Sequence, residues 1–144
     1  TAAAGGRRHR AIRALFPMYE TGFMAAALRG KGIARFADLA GKRVGCGPAR
    51  GPAEVFFRAA AEVAGISAEI VSGDSAPLAL ATLSGELDAF WQGAVVPIPA
   101  LVTVADGADA VIVGPGEEVS RGVVARLPHL APLTVPAGTY RGQA

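Results

Sequence analysis

Cysteine is nearly absent. Cys46 stands alone in 144 residues, so no intramolecular disulfide can form and no cysteine-based metal site can be built. Lysine is scarce too, with only Lys31 and Lys42, and histidine is limited to His9 and His129. No G-K-[ST] triplet occurs, which excludes a nucleoside-triphosphate loop. Long hydrophobic runs are missing: the longest, Ala94 to Ala105, is broken by Pro97 and Pro99 and is too short to span a bilayer. No charged-then-apolar pattern opens at Thr1, so no signal peptide is expected within this chain, and no membrane insertion. Charged residues are 18%, with a net charge of +2 and basic residues mostly dispersed. The one dense cluster, Arg7, Arg8, His9, Arg10 and Arg13, reads as a solvated end, so nucleic acid is not an expected partner.

What is present is a globular composition, 51% hydrophobic, of a length suited to one domain. The chain is organised around Asp38–Ile66. Arg43 to Cys46 reads as a short buried strand and Gly47 to Gly51 as a glycine- and proline-rich turn. Pro52 suits a first helical position, where its missing N–H costs nothing. Val55, Phe56, Ala59, Ala60 and Val63 recur at helical spacing, and Gly65 supplies a stop. A strand, a glycine turn and a helix in that order aim backbone N–H groups and a positive dipole end at one point, which favours anions.

The same unit repeats in outline. Strands are predicted at 18–28, 69–71, 88–91, 110–113 and 133–135. Helices are predicted from a cap at Asp74 or Ser75 to Gly85, near 100–105, and over 117–127, with a short helix or turn at 33–39. Asp88 reads as closing the helical turn before its strand. This alternation predicts an α/β fold: a mostly parallel sheet of about five strands with helices on both faces. Gly47–Pro52, Gly73–Ser75 and Gln92–Pro97 then share one rim, where ligands of such sheets bind.

The rim carries little that could drive a reaction. Neither histidine falls near a rim serine or cysteine, and Asp74, Glu86 and Asp88 have no metal-ligand spacing. No metal, no cofactor and no enzymatic activity are therefore expected. Gly45, Gly47 and Gly51 form G-x-G-x-x-x-G, near a dinucleotide fingerprint, with Glu69 about where a ribose-binding acid belongs. Pro48 and Pro52, however, remove N–H groups a pyrophosphate would use. Arg50 is either a plain solvated loop arginine or a guanidinium that joins the helix end, with the Gly51 and Ala53 N–H groups, in holding a carboxylate. Trp91 is either core or ligand-facing, and Gln92, at its strand's end, can offer a hydrogen bond.

Three stretches carry a family resemblance: GIARFADLAGKRVGCGPARG (32–51), GELDAFWQGAVVPIPAL (85–101) and VPAGTYRGQ (135–143). With FPMYETGF (16–23) ahead of them, they resemble the TAXI family of TRAP-transporter solute-binding proteins. The resemblance implies a type II periplasmic-binding-protein-like lobe over 13–140, after a flexible segment 1–12 and before a short end 141–144. The lobe is the second of two and is entered near 14–24 and left near Thr134–Tyr140, with Thr134 and Tyr140 as hinge residues. It also implies a periplasmic location, a small anionic solute (glutamate-like or a dicarboxylate), and membrane permease subunits as partners. Tyr19, Arg50, Gly51, Pro52, Ala53, Trp91, Gln92 and Gly93 are the ligand-binding residues so expected. The chain departs from the family at 49–53, where Ala-Arg-Gly-Pro-Ala replaces the usual hydroxyl residues. Two other readings stay open: a dinucleotide-binding enzyme domain, and the effector-binding domain of a transcription regulator.

Overall fold

The computed structural model describes residue 13 and residues 15–143. The flexible segment expected over 1–12, and all of its basic cluster except Arg13, lie outside the described residues, as do Ala14 and Ala144. The elements in chain order are β1 (Gly22–Leu28), a 3-10 turn at Phe36–Leu39, β2 (Arg43–Gly45), α1 (Pro52–Ala64), β3 (Glu69–Val71), α2 (Ser75–Leu83), β4 (Ala89–Ala94), α3 (Pro99–Gly107), β5 (Ala110–Val113) and α4 (Glu117–Arg126).

They form one five-stranded sheet in the order β3-β2-β4-β1-β5. β2 pairs in parallel with β3 (Val44 opposite Ile70) and with β4 (Gly45 opposite Phe90). β1 runs against both of its neighbours, with Met24 opposite Gln92 and Ala25 opposite Val113. Four strands thus share one direction, and β1 is inserted among them in the opposite sense.

The side-chain period of two sorts the core into two layers. Ala25, Ala27, Val44 and Trp91 face α1 and α4, with Phe36 and Phe57 packed among them. Met24, Ala26 and Phe90 face α2 and α3, against Leu78, Leu101 and Val104. The consecutive alanines of β1 are fully buried, since a strand covered on both faces cannot alternate with polar residues. Trp91 is 1% exposed. It stacks edge-on with Phe36 and Phe57, each at a centroid distance of 5.6 Å, and its indole N–H donates to the Ala53 carbonyl at 3.0 Å.

Several expectations need correction. Residues 133–135 are not a strand but an irregular segment between Pro132 and Pro136. The β5 edge it might have joined is taken by Gln143, whose side-chain amide accepts from the Ile112 N–H (3.2 Å) and donates to the Ala110 carbonyl (3.1 Å). β1 starts at Gly22, because 18–20 is exposed and finds no partner strand. β4 continues to Ala94, so Gln92 lies inside the strand rather than at its end. Asp88 does not close a helical turn. It accepts the Arg43 N–H (2.9 Å) and the Lys31 ammonium (3.1 Å), locking the starts of β2 and β4 together.

Candidate functional site

The three predicted loops do meet on one rim. The Gly73 N–H donates to the Gly47 carbonyl at 2.9 Å, and Gln92 Nε2 donates to Ser75 Oγ at 3.1 Å. A Cβ on Gly47 would stand 3.4 Å from Gln92 Oε1, an ordinary contact that places β2's exit loop against β4. Gly47 also has φ 68°, a backbone state that glycine adopts without strain.

The start of α1 is more self-contained than the sequence implies. Gly51 caps it with extended backbone, Pro52 is its first residue, and Gly65 ends it in the left-handed conformation. The Gly51 N–H, expected to face a ligand, instead donates to the Pro48 carbonyl at 2.9 Å, closing a tight turn. Helix geometry leaves the Ala53 and Glu54 N–H groups over at this end. Glu54 then folds back. One carboxylate oxygen accepts the Arg50 N–H at 2.7 Å, and the other accepts Arg58 Nε at 2.8 Å. The Arg50 N–H, followed by the Arg58 side chain, holds the Glu54 carboxyl below its ordinary range. A pyrophosphate arriving at α1 would meet that carboxylate. Glu69, the other element of the dinucleotide reading, pairs with Arg43 at 3.3 Å.

Arg50 itself sits at φ 58°, with its side chain on a cleft of ≈ 790 Å³. Pro52 and Gly93 line the same space, and Phe23 and Phe56 form its apolar wall. The far side is 129–133, the irregular segment that follows α4. No ion pair links the Arg50 guanidinium to any of the described acids. Tyr19, 61% exposed, lines an adjoining groove with Gly93 and 95–97.

The other expected site residues are placed differently. Ala53 and Trp91 are buried, and Gln92 turns toward Ser75. Gly93 is pressed by the Phe23 ring, so its lack of a side chain is a packing requirement. Thr134 is exposed, whereas Tyr140 is buried and its hydroxyl accepts the Ile98 N–H at 2.8 Å. His129, which no rim motif in the sequence marks, also reaches the cleft. Nothing in its local pattern signals this, because only the path of the coil after α4 brings it there.

Cys46 is fully buried, and burial, reinforced by the nearby Glu54 charge, pushes its thiol up to about 12. It packs as a small hydrophobe and holds no thiolate at neutral pH. Among the described residues, no group of three His, Cys, Asp or Glu side chains could hold a metal ion, and no helix is long and apolar enough to cross a membrane. Large apolar side chains are exposed where the chain enters the fold: Leu15, Phe16, Met18 and Tyr19, with Val95 and Leu133.

This architecture is that of a periplasmic-binding-protein-like lobe. A periplasmic binding protein of an ABC transporter from Brucella ovis, solved with glutathione bound, superposes with a TM-score of 0.55 at 20% identity, over 66% of this chain and 30% of that one. An ancestral arginine-binding protein bound to arginine gives 0.52 at 21% identity, over 77% and 56%. A polar amino acid ABC uptake transporter substrate-binding protein from Streptococcus thermophilus gives 0.53 at 17%, over 75% and 50%. The chain thus spans between about a third and just over half of the length of these structures. Comparison with curated proteins finds no match. The sequence matches the NMT1-like family over residues 1–144, and the chain belongs to that family.

Proposed function

We propose that this chain is one lobe, over 13–140, of an extracytoplasmic solute-binding receptor of the TAXI type, serving a TRAP transporter and its permease subunits. In this reading it is a binder and not an enzyme, its location is periplasmic, and it holds the carboxylate of a small anionic solute in the cleft facing a second lobe. The observation that carries the reading is Arg50, which lines the ≈ 790 Å³ rim cleft and forms no ion pair with a described acid, although its charge reaches Glu54 through space and Glu20 lines the same cleft. Support also comes from two of the structures above, solved with glutathione and with arginine, small solutes that each carry a carboxylate, and from the apolar side chains exposed at 15–19, where a second lobe would pack. Thr134 and Tyr140 bound the outgoing crossing, and the buried hydroxyl of Tyr140 anchors that crossing to this lobe. The glutamate-like or dicarboxylate solute that the resemblance implies would need a second cation, and Arg50 is the one arginine or lysine lining this cleft among the described residues.

Solute retained through purification, identified by mass spectrometry, supplies the ligand for calorimetry. Arg50→Ala is expected to weaken binding by roughly one to two orders of magnitude, the value of one charge-assisted contact. Because φ 58° strains alanine, Arg50→Asn serves as the companion variant: asparagine accepts that backbone state while removing the charge. Unchanged affinity in both variants sinks the reading.

A further inference from the structure

Beneath the rim cleft lies a second space of ≈ 120 Å³ that shares Phe23, Phe56 and Leu133 with it. The inner wall is Trp91, Ala60 of α1 and Val123 of α4. No charged side chain lines it, and its polar side-chain groups among the described residues are the hydroxyls of Thr21 and Ser120 and the indole N–H of Trp91. The Trp91 N–H, which could have served a ligand, is already committed to the Ala53 carbonyl. Apolar cavities of about 150 Å³ hold benzene-sized guests, so this space suits one aromatic ring or branched alkyl group. A second carboxylate placed there would lose its hydration with no cation in return. Arg50, by contrast, lines only the larger cleft, together with Glu20 and His129, so the ionisable side chains gather there and the smaller space is left apolar.

We infer that the solute is an amphipathic monocarboxylate, an aryl- or branched-alkyl-substituted acid, with its carboxylate at Arg50 and its apolar group in the space between Phe56, Trp91 and Val123. This rests on the receptor reading above and narrows its solute class: the part that this lobe grips beyond the carboxylate is apolar, not a second acid.

Calorimetry on the receptor as it occurs, with three probes, tests it: 3-phenylpropionate, succinate and 3-phenylpropan-1-ol. The expected result is 3-phenylpropionate binding at least roughly ten-fold tighter than either of the others. Val124→Phe, which fills the inner space from α4, is expected to weaken 3-phenylpropionate by a similar factor and leave succinate unchanged. Should that variant fail to fold, Leu133→Ala decides. Leu133 is 46% exposed and lines both spaces, so its truncation spares the core, and the widened junction between them should shift preference toward 3-(2-naphthyl)propionate. Succinate binding more tightly than 3-phenylpropionate, or ligand preferences unmoved by either variant, overturns this inference alone. The alcohol binding as well as the acid removes Arg50's role. No binding of any probe overturns this inference, while the receptor reading falls only if the retained solute binds both Arg50 variants unchanged.

Discussion

Single residues set the shape of the cleft. Gly93 is the sharpest case, because a Cβ there would occupy the Phe23 ring. Phe23 packs edge-on against Phe56 with centroids 4.5 Å apart and stacks near Trp91, so a displaced ring disturbs the whole aromatic wall. Gly93→Ala should therefore destabilise the fold by about 1–3 kcal/mol, an overpacking cost, and should weaken solute binding as well. Thermal unfolding together with calorimetry checks both, and a variant as stable as the parent would contradict the packing seen here. The residue scale is also where the sequence was least legible. Trp91 and Gly93 look alike as rim candidates, and only their packing separates a core indole from a glycine kept bare by a neighbouring ring. Arg50 was legible as a rim cation, but its left-handed backbone and the use of its N–H by Glu54 were not.

At the scale of elements, helix ends and strand starts are held by the chain's own carboxylates. Glu54 serves the start of α1, Asp88 ties β2 to β4, and Asp38 accepts the Ala34 and Arg35 N–H groups ahead of the 3-10 turn. All three carboxyls are held below their ordinary range, chiefly by backbone N–H donors: Arg50 for Glu54, Arg43 for Asp88 and Ala34 for Asp38. A depressed native pKa means that the unfolded chain takes up protons first as pH falls. The stability contributed is thus complete above the unfolded carboxylate values near pH 4. It is lost as pH drops through that range toward the native values. Melting temperature measured across pH 2 to 7 (roughly the span of the carboxylate titrations) should fall below about pH 4, and Glu54→Gln with Asp88→Asn should flatten that fall. An unaltered acid profile would show that these carboxylates do not set it. Element boundaries were readable where chain chemistry marks them, at Pro52 and Gly65 of α1 and at the acids that open α4. The antiparallel placement of β1 was not, because Ala25–Ala27 carry no period and strand direction is decided by partners far along the chain.

At the scale of the molecule, one end of the fold carries Leu15 (88% exposed), Phe16 (72%) and Met18 (76%) in a row. Soluble monomers seldom leave such side chains together without a covering surface. The 144-residue chain produced by itself should self-associate as its concentration rises, and Phe16→Ser with Met18→Ser should reduce this. Light scattering coupled to gel filtration reads both, and a monodisperse parent at every concentration would remove the case for a covered face. The sheet order has a different consequence, for synthesis. β1 emerges first, yet both of its neighbours come much later: Ala27 pairs with Ala89 on one side, and Leu28 with Ala110 on the other. Its seven apolar-rich residues cannot be seated until nearly the whole sheet has left the ribosome. Until then the strand has two open edges, the state most prone to pairing with a wrong neighbour. Completion of β5 is thus the step that ends this exposure, and a cell making the chain has reason to shield Gly22–Leu28 until that point.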